Sequence, residues 1–142
     1  MTLTNARGGC LCGAVRFAYD GEFGGALGKI TVCLCGQCRR SQGLGAAVGP
    51  ARAEDFRITR GAEVITEYES SPGKRRAFCR LCGSPLYSRR DANPEVLRLR
   101  LGVFDELPAG LRVEAQIFAE DAPKWTSFGG APRYARDEPG RS

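Results

Sequence analysis

The residues best equipped for chemistry in this chain of 142 are its seven cysteines. They fall into three groups: Cys10 and Cys12 as C-x-C, Cys33, Cys35 and Cys38 as C-x-C-x-x-C, and Cys79 and Cys82 as C-x-x-C. An odd number cannot be consumed by disulfides without a leftover thiol. In a reducing compartment, clustered cysteines more often bind metal or do chemistry than form bridges. The chain has no histidine, so any metal site must be built from thiolate, carboxylate, carbonyl or water. Two cysteine pairs in tight turns, brought together across a fold, make a tetrahedral thiolate site of the kind that holds zinc.

Which groups combine is set by spacing. The middle group offers three ligands from six residues and can hold a metal by itself. The outer pairs offer four, and each is followed by a glycine, Gly13 or Gly83. Glycine admits a left-handed turn that aims backbone amides at sulfur. The prediction is a closed structural zinc on Cys10, Cys12, Cys79 and Cys82 and a functional zinc on Cys33, Cys35 and Cys38, two zinc ions per chain. The three-thiolate set keeps a position for water, a substrate thiol or a carbonyl oxygen. Two alternatives stay open on spacing alone: an Asp, Glu or cysteine elsewhere closes that set, or Cys35 and Cys38 form a redox dithiol. Arg39 and Arg40 follow the third thiolate. They read either as a cationic rim that seats an anionic substrate or as a solvated turn balancing thiolate charge. For Arg75, Arg76 and Arg80, around the last pair, charge balance is the reading.

The elements that must position these groups are short and mostly extended. Alternation predicts strands over 14–19, with Val15, Phe17 and Tyr19 on one face, and over 29–32, leading into Cys33. Residues 64–69 and 74–79 flank Ser71-Pro72-Gly73 as a hairpin, and 85–89 continues after the second cysteine pair. The clearest strand is 96–103, with Leu97, Leu99 and Leu101 on one face and Arg98 and Arg100 on the other. A similar pattern over 112–118 puts Val113, Ala115 and Ile117 inward. Helical signal is confined to 39–43, 53–56 and 104–107. Trp125 reads as a partly buried anchor of the C-terminal segment, and Tyr68, Tyr87 and Phe78 read as core. Residues 1–136 form one domain in this reading, and 137–142 a polar, frayed tail.

Bulk properties agree with a mainly β domain. The 19 glycines and 8 prolines favour turns over long helices. No run reaches the roughly 18 apolar residues a membrane span needs, and nothing near Met1 resembles a secretory signal. A cytoplasmic location and no membrane partner are expected. The formal charge of +5 falls to about +2 once seven thiolates hold two divalent ions. That residue of charge does not make a nucleic-acid binder.

The strings GGCLCGAVRF (8–17), CLCGQCRRSQG (33–43) and FCRLCGSPLY (78–87), followed by LGVFDE (101–106) and QIFAEDAPKW (116–125), resemble the glutathione-dependent formaldehyde-activating enzyme family over nearly the whole chain. The resemblance implies a tent-like zinc fold of small antiparallel sheets, with the outer four cysteines on a structural zinc and the middle three on a functional one. It also implies glutathione and formaldehyde as small-molecule partners. They condense to S-hydroxymethylglutathione, a carbon–sulfur lyase reaction run in reverse, with another thiol or aldehyde as the alternative pair in a family this broad. The alternative is a non-catalytic, zinc-stabilised module that binds a thiol or a partner protein. One departure stands out. The family usually carries histidine between the first two cysteines of the middle group, where this chain has Leu34.

Overall fold

The structure is a computed structural model and describes residues 1–126 and 130–140. Its strands are β1 (Thr2–Gly9), β2 (Arg16–Glu22), β3 (Thr31–Cys33), β4 (Ala46–Arg52), β5 (Phe56–Arg60), β6 (Ile65–Ser71), β7 (Lys74–Cys79), β8 (Pro85–Arg90), β9 (Asn93–Arg100) and β10 (Ala115–Ile117). One α-helix, α1, spans Gly36–Gln42. The strands make two sheets, an antiparallel β1-β2-β5 and a seven-stranded β10-β3-β4-β9-β8-β7-β6. In the larger sheet only the β10–β3 pair is parallel. The mainly β fold therefore holds, but one sheet is larger than expected and mixed. No helix among the described residues is long and apolar enough to cross a membrane.

The alternation of β9 organises the molecule. Leu97 and Leu99 are buried against Phe17 and Tyr19 of β2, together with Phe23 and Phe104. Phe17 and Phe104 meet edge to face with centroids 5.2 Å apart, a geometry favoured by the ring quadrupoles. This cluster joins the two sheets. Because side chains alternate across a strand, Arg98 and Arg100 must point to the opposite face of the larger sheet.

Three strands carry weak sequence signals. In β1 half of the positions are exposed and only Leu3 and Gly8 are buried, and β5 has no buried residue. In β4, Gly49 and Pro50 argue against a central strand. Both have local reasons. A Cβ on Gly49 would lie 2.0 Å from the Phe23 ring, so the aromatic packs directly on the backbone. Pro50 lies beyond the last β3–β4 pair, Thr31 with Val48, where β4 needs no ladder donor on that side.

Other boundaries also shift. Helix α1 begins at Gly36 rather than Arg39 because Cys35 caps it, and the predicted turn at 104–107 is instead a 3-10 turn at Leu101–Val103. The last strand is confined to Ala115–Ile117, because Phe118 adopts a left-handed conformation with φ of 54°. Val113 is only half-buried. Tyr87 packs on Phe56, whereas Tyr68 and Trp125 are exposed. The expected Trp125 anchor is thus corrected: at 65% exposure it is held by no core. In the predicted tail, Glu138 is buried, and residues 141–142 lie outside the described residues.

Candidate metal centres and active site

The first cysteine pair sits in the turn between β1 and β2, and the last in the turn between β7 and β8. The two turns close alike. The Cys10 N–H donates to the Val15 carbonyl at 3.1 Å, and the Cys79 N–H to the Ser84 carbonyl at 3.0 Å, both five residues on. Gly13 and Gly83 each have φ of 79°, the left-handed region open to glycine at little cost. Matched turns from different sheets bring Sγ atoms of Cys10, Cys12, Cys79 and Cys82 within 4.8 Å of one another.

The spacing suits zinc. Tetrahedral thiolates at a Zn–S distance of about 2.3 Å stand about 3.8 Å apart, and Cys10–Cys12 and Cys12–Cys79 are 3.6 and 3.9 Å apart. The Val15 N–H donates to Cys10 Sγ at 3.2 Å. Ser84 links the turns, accepting from the Leu11 N–H at 2.9 Å and lying 3.3 Å from Cys82 Sγ. Hydrogen bonds from Ser84 hold the Cys82 thiol down at about 5, in the thiolate form a metal takes.

The second set gathers Cys33, at the end of β3, with Cys35 and Cys38. Cys35 is the N-cap of α1, its sulfur accepting from the Cys38 N–H at 3.3 Å. The neighbouring Cys33 and Cys35 thiols, aided by the Arg76 guanidinium, hold Cys38 down at about 2 despite burial. Cys33, donating to its neighbours, is pushed up. The group therefore concentrates negative charge on Cys38. Both terminal nitrogens of Arg76 approach that sulfur at 3.6 Å.

This second set opens on a cleft of about 570 Å³. Its floor is the arginine face of the larger sheet. Register places Lys74 beside Arg90 and Arg76 beside Ser88, then Ser88 beside Arg98. Arg100 follows Arg98 on the same face of β9. With Arg136 at the rim, six basic side chains line the cleft against two carboxylates, Glu120 and Asp121. Arg136 pairs with Glu120 at 2.9 Å. Arg100 is buried, donating to Ser88 Oγ at 3.3 Å and to Gln42 Oε1 at 3.2 Å. Burial pushes it down to about 10, still charged at neutral pH.

Spacing therefore anticipated both cysteine groupings, whereas the basic residues fall elsewhere. Arg39 and Arg40 lie on α1 outside the cleft wall. Arg75 pairs with Asp91 and Glu69, and Arg80 is exposed. Arg76 balances charge at the middle set, across the fold from the neighbouring Cys79. The missed signal was the alternation K-x-R over 74–76 and R-x-R over 98–100, read without the pairing that puts them side by side.

The profile of the glutathione-dependent formaldehyde-activating enzyme family matches residues 5–121. The chain belongs to that family. A Halomonas elongata protein provisionally named glutathione-dependent formaldehyde-activating enzyme is 29% identical over 129 residues, covering 85% of this chain and 79% of its own. The crystal structure of a Rhodobacter sphaeroides protein superposes with a TM-score of 0.58 at 33% identity, covering 72% of this chain and 91% of its own.

The structure also locates the departure from the usual family pattern. Leu34 is fully buried and takes no part in the cleft wall. Its side chain points toward Gly45, where an added Cβ would meet it at 3.1 Å. Leu34 is shut off from solvent, so an imidazole there would be taken out of water. Leu34→His should cost about 1–3 kcal/mol in urea denaturation and leave thiol chemistry unimproved. A gain in activity at full stability would refute this placement.

Proposed function

We propose that the chain is a zinc-dependent enzyme of the carbon–sulfur lyase type that joins a thiol to an aldehyde, glutathione with formaldehyde being the pair suggested by its family. The observation that carries the reading is the contrast between the two cysteine sets. Four sulfurs close on themselves, whereas three face a cleft lined by basic side chains. A closed thiolate set stabilises a fold; a three-ligand set beside a cleft is the arrangement of a reactive zinc.

Cys33, Cys35 and Cys38 would hold the second ion, which when bound lowers a thiol's pKa and polarises a carbonyl oxygen. The chain's own residues do the rest. Arg76 and Arg100 fix the end of the cleft nearest Cys38, countering its charge and that of an arriving thiolate. Lys74, Arg90 and Arg98 extend the positive surface along β7, β8 and β9 and suit the carboxylates of a peptide thiol. Glu120 and Asp121 at the rim suit its ammonium. We place the protein in a reducing, cytoplasmic setting, where clustered cysteines stay available to metal.

Two measurements test the reading. Elemental analysis should return two zinc per chain. Exchange NMR on glutathione and formaldehyde should show adduct formation faster with metallated protein than without. Equal rates with this pair and with other small thiols and aldehydes would reduce the protein to a binding module.

A further inference from the structure

The cleft holds one group that anion binding alone leaves unexplained. Lys74 opens β7 and shares the cleft wall with Cys38 and Arg76. On its own sheet the cross-strand neighbours are Ser71 of β6 and Arg90 of β8, with Asn93 of β9 opposite Arg90 and Arg98 of β9 in the same cleft wall. The thiolate of Cys38, on α1, acts on it as an anion, and the carboxylates of Glu120 and Asp121 lie in the same cleft wall. Its ammonium has no carboxylate or hydrogen-bond partner among the described residues, in a chain where Arg75, Arg89, Arg16 and Arg57 all pair with acids. Like charges directly across a ladder oppose each other. An arginine would bind an anion here more firmly, with five donors and a permanent charge. A lysine differs in being able to lose its proton.

We propose that Lys74 is a nucleophilic lysine that captures an aldehyde in this cleft as a carbinolamine. This rests on reading the cleft as an aldehyde site. The neutral amine adds its lone pair to the carbonyl carbon, the C=O π pair moves to oxygen, and the nitrogen proton follows to give Lys74-NH-CH(OH)R. Loss of water forms the imine. A thiol adding to it gives an N,S-acetal, and water then releases the hemithioacetal and the free amine. The sum is thiol plus aldehyde, with no oxidant or reductant consumed. Desolvation, with Arg90, Arg98 and Arg76 adding, pushes the Lys74 ammonium down to about 8. An amine flanked by cations in this way is nucleophilic near neutrality.

The chain has three lysines, Lys29, Lys74 and Lys124, which makes the test direct. The full-length zinc-loaded protein is treated at pH 7 with formaldehyde and cyanoborohydride, without thiol, and reductive methylation is followed by peptide mapping. Lys74 should label at least about tenfold faster than the exposed Lys124 or than Lys29, which Tyr134 holds in its ammonium form. Its rate should level off above pH 8. In Lys74→Arg the fast site should vanish while the other two keep their rates. Labelling of Lys74 no faster than Lys124 would overturn the proposal and leave the amine as an anion clamp. The outcome is independent of turnover: fast labelling with no glutathione–formaldehyde acceleration would sink the thiol reading and keep the aldehyde site. The converse would remove Lys74 alone.

Discussion

Cys79→Ser should unfold the chain or lower its melting temperature by roughly 15 °C or more, and zinc should fall to one ion per chain or fewer. The sulfur is 0% exposed and belongs to a set contributed by both sheets, Cys10 and Cys12 from the β1–β2 turn and Cys79 and Cys82 from the β7–β8 turn. Partners 67 residues apart in sequence close a long loop, so the metal restrains much of the chain. Structural thiolate–zinc sites contribute on the order of 10 kcal/mol to small domains, comparable with the whole stability of a single domain. A loss of about 5 kcal/mol corresponds to the stated shift at this size. Serine offers no thiolate, and removing one ligand leaves three sulfurs around a buried position beside Val15, Val64 and Leu86. Circular dichroism melting with metal analysis reads both effects. A variant that melts with the native protein would show that the aromatic cluster, not the metal, joins the sheets.

The contrasting substitution is Cys35→Ser. Cys33, Cys35 and Cys38 lie within the β3–α1 segment, so losing that ion breaks no link between sheets. Serine is also a favoured helix N-cap and can accept from the Cys38 N–H as the sulfur does. The variant should stay folded, bind one zinc and lose activity. If it unfolds as Cys79→Ser does, the division of labour between the two sets is wrong.

Much of this was legible in the residues. The cysteine groups were readable because ligand geometry is local: Gly13 and Gly83 mark turns, and six residues suffice to place Cys33, Cys35 and Cys38. The leucine and arginine faces of β9 were readable for the same reason, since alternation is a property of one strand. What that second face touches was not. Arg76 looks like a neighbour of Cys79 in sequence, yet its guanidinium reaches Cys38 of α1, whereas Cys79 belongs to the other cysteine set. The cleft is a product of strand order β4-β9-β8-β7, which hydrophobic periodicity does not encode. β4 was obscured by Gly49 and Pro50, each explained by a tertiary neighbour: the Phe23 ring, and the early end of β3. Arg39 and Arg40 follow Cys38 in sequence yet do not line the cleft, because proximity in sequence to a ligand is a weak guide to the direction a helical side chain takes.

Arg76→Met should lower kcat/KM for the thiol by about 100-fold or more, with little change in stability. Arg76 is 9% exposed and its guanidinium works as a fork, reaching Cys38 Sγ from both terminal nitrogens while Nε donates to Ser70 Oγ at 3.0 Å. Ser41 Oγ and Gln37 Oε1 each accept at 3.4 Å, tying α1 to β7. Methionine matches the length of the stem and removes the charge. Truncating one partner of a buried charge contact costs about 2–5 kcal/mol, and about 2.7 kcal/mol is 100-fold in rate. Arg76→Lys should lie between, near tenfold, because an ammonium restores the charge without the planar fork. Stability responds differently. The lost hydrogen bonds are offset by relief of repulsion with Lys74 and Arg100, both of which the Arg76 charge pushes toward deprotonation. Activity falling while the melting temperature holds is the signature of charge gathered for a ligand rather than for the fold. Zinc content measured on the same samples separates this from loss of the ion: a rate deficit that tracks zinc loss would make Arg76 a guardian of the metal and remove it from substrate binding.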